Sequence, residues 1–425
     1  MRARRWGALL AAAWLTGCSV ANFDLPNAAE DEAAYAGRHP YYAEYCALSQ
    51  IKKKLGYGAD IRGEIGGHAV FYLNGACRVA GLGYPVLDVC DGIGGRPPDG
   101  VGLSMNAHFM NAKWVATPGR EFFFHGGLPR DAPLTRDAYV RVQQQARRLG
   151  IYEGVAFHPE VFAAMPPGWA PEDTKYEVSV ATDYAISLGR GRYCARIPVS
   201  RPQMAAMVAF LNEQNAPYRS GAQVFEWSVF TDNCIHLAHN ALAVAGLWAA
   251  WRIHRPFLVS VFDFPTPKNE FVNLMRRAND MHLLDLAQAY RDPAARRSLM
   301  EYGRLPAAPG ALAESRGPQR PNEVYETDLK LIFYDAPPFG PYQGWFDGIF
   351  SDASMLDLRA NSAAFAAAYR DAETARRPLA WWQSQPPYAD DPAFPAFYDK
   401  FYPAVEQERL RLDVMAQGSP TLMTH

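Results

Sequence analysis

Apolar and polar positions change period several times along the chain, and each change predicts an element. His68-Ala-Val-Phe-Tyr-Leu73 is apolar behind one leading histidine and is closed by Gly75, which predicts a short buried strand. Leu103, Met105, Ala107 and Phe109 then alternate with Ser104, Asn106 and His108, predicting a second strand over 103–110 with one polar face. The apolar run 121–125, ended by Gly126-Gly-Leu-Pro129, reads as a third strand, and 175–187 and 192–198 read as two more. Helical spacing is expected over 41–54 and 135–149. Ser200-Arg-Pro-Gln203 has the form of a capping box, and Met204, Met207, Val208 and Leu211 repeat behind it at helical spacing. A further helix is expected over 235–245, entered through Thr231-Asp-Asn-Cys234 with Thr231 or Asp232 as N-cap and stopped by Gly246.

The first residues follow a different logic. Arg2, Arg4 and Arg5 precede a short apolar run over 6–15, well under the roughly 20 residues that a membrane span needs. The run ends in Leu15-Thr16-Gly17-Cys18, which resembles a bacterial lipobox. That resemblance implies cleavage before Cys18, diacylation of its thiol and a membrane-anchored body facing the periplasm; Ser19 in the next position implies sorting to the outer membrane. Residues 1–18 are thus a signal segment and 19–45, small and acidic around Glu30-Asp-Glu32, a tether. A folded body is expected over 46–255. Residues 256–425 form an aromatic-rich, mostly helical region, with 306–321 read as a surface linker.

Composition narrows the function classes. A formal net charge of −2 leaves no basic footprint for nucleic acid. An apolar share of 49% argues for a packed protein over a disordered stalk. With Cys18 assigned to lipid, five cysteines remain: Cys46, Cys77, Cys90, Cys194 and Cys234. An oxidising compartment favours pairing, and an odd number leaves one thiol free. Cys77 and Cys90 flank a Gly-rich loop and suggest one bridge, the pairing otherwise staying open.

Cys234 carries the chemistry. A cysteine in the first turn of a helix sits among unsatisfied N–H groups and at the positive end of the dipole, which favours the thiolate. The same N–H groups can hold the oxyanion of a tetrahedral intermediate. Such a thiol needs a base, and the base needs an orienting partner; His68 and His108 are the candidates. The competing reading is an inert core cysteine with two satisfied loop histidines. A metal set of Cys234, His236 and His239 is disfavoured, because at about 100° per residue only the two histidines share a helix face. No cofactor is implied.

Gly66-Gly-His-Ala69 on a strand, with Asp232-Asn-Cys234 opening a helix much later, resembles the circularly permuted papain-like enzymes. These include the NlpC-type peptidases and amidases and the lecithin:retinol acyltransferase relatives, in which histidine precedes cysteine. The ordered set Gly67-His-Ala69, Ser104 to Phe109, Gly126-Gly-Leu-Pro129, Ile197 to Leu211 and Asp232-Asn-Cys234 is similar to the Lnb periplasmic-domain family. The resemblance covers roughly residues 60–250. It implies an α+β fold, an antiparallel sheet with the Cys234 helix packed on it, followed by the mostly helical C-terminal region. It makes Cys234 the nucleophile and His68 the base, with Asn233 and Asp232 supporting. His108 takes the third place, where many relatives carry Asn. It also implies acyl transfer or hydrolysis through a thioester on lipid-linked substrates; the alternatives are an NlpC-type cell-wall peptidase or amidase, and a non-catalytic binding or scaffolding lipoprotein.

Overall fold

A computed structural model describes residues 18–22, 32–57, 67–90, 100–163, 165–253, 266–327, 330–335 and 340–416. The signal segment 1–17 and Gly66 lie outside the described residues. The chain runs through β1 (Cys18–Asn22), α1 (Glu32–Arg38), β2 (Tyr42–Leu48), β3 (His68–Asn74), β4 (Ala76–Arg78), β5 (Leu87–Val89), β6 (Val101–Ser104) and β7 (Val115–Pro118). Then come α2 (Arg120–His125), α3 (Arg136–Arg148), α4 (Pro171–Ser179), β8 (Arg192–Pro198), α5 (Arg201–Arg219), α6 (Cys234–Val244) and α7 (Pro267–Ala278). It closes with α8 (Leu286–Arg291), α9 (Pro293–Tyr302), β9 (Leu312–Arg316), β10 (Lys330–Tyr334), α10 (Tyr342–Ser351), α11 (Leu358–Thr374), α12 (Leu379–Gln383) and α13 (Phe394–Ala416).

The fold is mixed α+β, built on a six-stranded antiparallel sheet in the order β7-β6-β3-β2-β8-β9. β2 and β3 are buried along their whole length, so both faces of the sheet are covered. Ala69, Phe71 and Leu73 point to the side packed by α6 and α7, sharing a core with Ile235, Ala238 and Phe271. Val70 and Tyr72 point to the other side, with Phe123, Phe124 and Tyr35. There the Phe123 ring occupies the space a Cβ on Gly102 would need, so only glycine lets α2 lie this close to β6.

That second side also buries charge. Glu44 of β2 and Glu314 of β9 share the guanidinium groups of Arg120, Arg192 and Arg196. Burial by itself would raise the Glu314 pKa, but Arg196, Arg192 and Arg120 outweigh it and hold the carboxyl far below its ordinary value. Cys46 and Cys194 face each other in register across β2 and β8 and are joined in a disulfide, as are Cys77 and Cys90. Cys234 belongs to neither bridge.

Several expectations are corrected. Residues 41–54 begin as β2 and not as a helix, and 121–125 lie in α2 and not in a strand. Residues 175–179 close α4, where a strand was expected. The polar-faced strand stops at Ser104 and leaves Asn106 and His108 in the loop beyond. The presumed tether contains β1, α1 and the start of β2. The boundary at 255 is not a structural one: β9 completes the sheet and sits within the stretch read as a linker. A second core does gather in the C-terminal helices, around Phe365, Phe394, Phe397 and Phe401. No described helix is long and apolar enough to cross a membrane.

Candidate active site

The N-cap of α6 is Asn233, one residue later than expected, so Cys234 is the first helical residue. Asn233 Oδ1 accepts from the amides of Ile235 at 2.9 Å and His236 at 3.3 Å, and its Nδ2 donates to the Val229 carbonyl at 2.7 Å. Those two amides therefore serve the cap, so an oxyanion cannot count on them; what the helix end offers the thiol is its field. Asp232 is buried and ion-paired with Lys113 at 2.8 Å, which pins the chain just before the cysteine. Cys234 itself is half-buried. Both supporting residues thus act on the loop that delivers the thiol.

The neighbours of Cys234 come from β2 and the start of α7. Burial pushes the Tyr45 hydroxyl well above the usual phenol range, and negative charge on Glu270 and then on Cys234 pushes it further, so the thiol lies within electrostatic reach of that ring. Tyr45 Oη donates to the Pro267 carbonyl at 3.1 Å. The next residue, Lys268, is fully buried, and its Nζ packs against Gly67: a Cβ there would collide with both Lys268 Nζ and the Leu48 carbonyl oxygen. Gly67 also has a φ of +79°, in the region that favours glycine. His68 follows directly. Cys234, Tyr45, Lys268 and the Gly67-His68 pair therefore share one corner of the sheet.

His68 is 3% exposed, and its Nε2 lies 3.1 Å from Ser104 Oγ. Ser104 Oγ donates in turn to Asp183 Oδ1 at 2.6 Å. The Thr182 carbonyl is a second acceptor for that proton at 3.1 Å, and with the proton directed to either oxygen the serine Oγ is placed to accept from His68 Nε2–H. Asp183 also accepts from Asn106 Nδ2 at 2.6 Å and Tyr152 Oη at 2.8 Å. Burial raises its pKa; the Ser104 hydrogen bond, the charge of His108 and the Tyr152 hydroxyl oppose that. Alternation along β3 sends the His68 ring to the side of Val70 and Tyr72, whereas α6 covers the side of Ala69 and Phe71.

Ser104 holds Nε2, and His108 acts a step further away through its charge on Asp183. Its ring stacks on Phe157 at 5.9 Å, while its amide donates to Asn106 Oδ1 at 2.8 Å. The alternation that picked out Ser104, Asn106 and His108 found a real polar cluster. Asp183, Tyr152, Tyr45 and Lys268 were missed; Asp183 lies in an irregular turn between Ala181 and Ala185, both at positive φ, and no periodicity marks it.

The two histidines of α6 are engaged in the protein. His239 contacts Glu270 Oε1 through Nδ1 at 2.7 Å and the Ala249 carbonyl through Nε2 at 2.8 Å, so both ring nitrogens are engaged. His236 Nδ1 lies 3.0 Å from Asn233 Oδ1. The one described group with metal-ligand spacing is Glu44 with Cys46 and Cys194, whose sulfurs are already bonded to each other. The chain matches no protein-family model, no curated protein and no solved structure.

Proposed function

We propose that this protein is a thiol enzyme of permuted papain-like type that transfers or hydrolyses acyl groups through a thioester at Cys234. One observation carries the reading: Cys234, which belongs to neither disulfide, opens α6 in the same corner as a histidine whose Nε2 is held by an acid-backed serine. In the reaction His68 Nδ1 takes the thiol proton and Sγ attacks the carbonyl carbon of an ester or amide. The bond to the leaving group breaks, and that group departs with the proton from His68. Water or an amine then attacks the thioester, gives its proton to His68 and releases the acyl product, restoring the thiol. Ser104 and Asp183 fix the ring and stabilise its charged form.

The proposed setting is the bacterial envelope, with Cys18 diacylated and lipid-linked molecules as substrates. Cys18 opens β1 and pairs with Tyr334 of β10, so an anchor there holds the body close to the bilayer surface. Incorporation of alkyne-palmitate into the wild-type chain and its loss in Cys18→Ala tests the anchor.

The chemistry is tested by iodoacetamide labelling of the oxidised protein from pH 5 to 9, read by mass spectrometry at Cys234. An activated thiol labels rapidly at the acid end, and His68→Ala slows it by about tenfold or more, the low end of what a positioned base contributes. A Cys234 that labels like an ordinary thiol of pKa about 8.5, with no response to His68→Ala, removes the enzyme reading.

A further inference from the structure

Asp183 is carried by a turn that the chain does not form without strain. Ala181 and Ala185, at φ of +61° and +52°, lie on either side of it in the left-handed region that a Cβ disfavours. Such backbone persists only where its surroundings hold it. Within the turn the Ala181 amide donates to the Tyr184 carbonyl at 2.8 Å, and the amides of Thr182 and Asp183 donate to the Ser179 carbonyl at 3.0 and 2.9 Å. Two acceptors of the Ser104 hydroxyl belong to this turn, Asp183 Oδ1 at 2.6 Å and the Thr182 carbonyl at 3.1 Å. The aim of Ser104 Oγ at His68 therefore depends on the turn keeping its shape.

Arg190 reaches into the same turn. It is fully buried, and its guanidinium donates through Nε to the Ala181 carbonyl at 2.7 Å, through Nη2 to Thr182 Oγ1 at 3.3 Å and through Nη1 to the Ser49 carbonyl at 2.9 Å. Ser49 is itself tied to Gly191: its amide donates to the Gly191 carbonyl at 2.9 Å, and its hydroxyl accepts from the Gly191 amide at 3.0 Å. The preceding residue, Leu48, pairs with His68 on one side of β2 and with Arg192 on the other. One guanidinium thus spans the turn that holds Asp183 and the strand end beside His68. Gly189 backs the turn as well, so closely that a Cβ there would lie 2.9 Å from the Tyr325 ring and 3.1 Å from the Ala181 methyl. A rigid planar fork can serve three acceptors fixed on two segments at once, which an ammonium on a flexible stem cannot.

We propose that Arg190 is a positioning residue for the thiol chemistry: it locks the strained Asp183 turn to the end of β2, so that Ser104 stays aimed at His68. The inference rests on the thiol–imidazole reading and adds to it a residue that acts through the turn.

The test is iodoacetamide labelling of Cys234 in the oxidised full chain from pH 5 to 9, read by mass spectrometry. The variants are Arg190→Lys, Thr182→Val, His68→Ala and Arg190→Lys combined with His68→Ala. Arg190→Lys keeps the charge and loses the fork, and should slow labelling at the acid end about tenfold, the low end of what losing a supporting partner costs. Thr182→Val removes one acceptor at nearly constant volume and should slow it about threefold, a milder change that serves where Arg190→Lys does not fold. Because Arg190 acts through the imidazole, Arg190→Lys should change nothing further in His68→Ala. Equal slowing in both backgrounds would show a general loosening of the fold and overturn the proposal. So would wild-type labelling in Arg190→Lys or, where that variant does not fold, in Thr182→Val. Wild-type labelling in His68→Ala would instead remove the thiol–imidazole reading on which the proposal stands, so the two failures are told apart.

Discussion

At the scale of single residues the site depends on which proton sits where. Ser104 can hold His68 Nε2–H because its own proton goes to Asp183, with the Thr182 carbonyl a second acceptor at 3.1 Å, and two further donors, from Asn106 and Tyr152, meet the Asp183 oxygens. Ser104→Ala removes the link while leaving acid and base in place. The ring loses its tautomeric anchor, so Cys234 alkylation near neutral pH should slow by about ten- to a hundredfold, the usual range for losing an orienting partner, with little effect on the fold. Alkylation at the wild-type rate would show that Ser104 orients nothing. Part of this chain was readable beforehand: Ser104, Asn106 and His108 stood out because three polar residues alternate with apolar ones in a packed strand. The family resemblance points to His108 for that place, whereas a serine acquires the role only from a buried acid behind it. Nothing around Thr182-Asp183-Tyr184 announces such an acid, since the turn is shaped by contacts with distant strands.

At the scale of elements, α6 is positioned by its cap. Asn233 satisfies two amides of the first turn, touches the His236 ring and ties back to Val229, so it fixes both the start and the direction of the helix. Asn233→Ala should cost about 1 kcal/mol locally. Amide exchange at Ile235 and His236 should then quicken about fivefold, as read by hydrogen-exchange mass spectrometry, and Cys234 labelling should lose part of its acid-side reactivity. Unchanged exchange would place the helix's stability in its buried face alone. The Asp-Asn-Cys string disclosed this helix, although the cap fell one residue later than the hydroxyl or carboxylate favoured on general grounds. The misread elements share one cause. Glu44 in β2 looks like a solvent-facing residue until Arg120, far along the chain, neutralises it, so a strand buried on both faces showed no alternation and was taken for a helix. Phe122, Phe123 and Phe124 read as a strand because a short aromatic run has no period of its own. As a helix they diverge, Phe122 stacking on Tyr184, Phe123 covering Gly102 and Phe124 lying under Arg192.

At the scale of the whole molecule, charges from distant segments meet in the interior, and this sets how the protein responds to acid. The Glu314 carboxylate and its arginines join β9 to β8 and α2, which is why a stretch read as linker is a buried strand. His125 is 1% exposed, and its ring nitrogens have no hydrogen-bond partner among the described residues. Burial, then the charges of Arg192, Arg130, Arg316 and Arg120, lower its pKa from 6.5 to about 2. His39 falls to about 3, by burial and then by Arg411, Arg304 and Arg38, so residues of the C-terminal helices act on the N-terminal segment. Both histidines stay neutral in the folded chain while the unfolded chain takes up protons below pH 6.5. Stability therefore falls as pH drops from about 6.5, by up to about 1.4 kcal/mol per unit for each histidine, until the folded values are reached. The Glu314 pKa is lowered as well, but against burial, by the attraction of its arginines. Its stabilisation is complete above the ordinary carboxylate value and is lost only as pH falls below it, so it adds to a decline already under way. Acid unfolding followed by intrinsic fluorescence should begin between pH 6 and 5, ahead of carboxylate titration, and His125→Phe should move the midpoint down by several tenths of a unit or more, by removing one of the two proton sinks. If unfolding begins only near pH 4 and His125→Phe leaves the midpoint where it was, the buried histidines do not govern it, and the arginine-bound carboxylates carry the acid sensitivity alone.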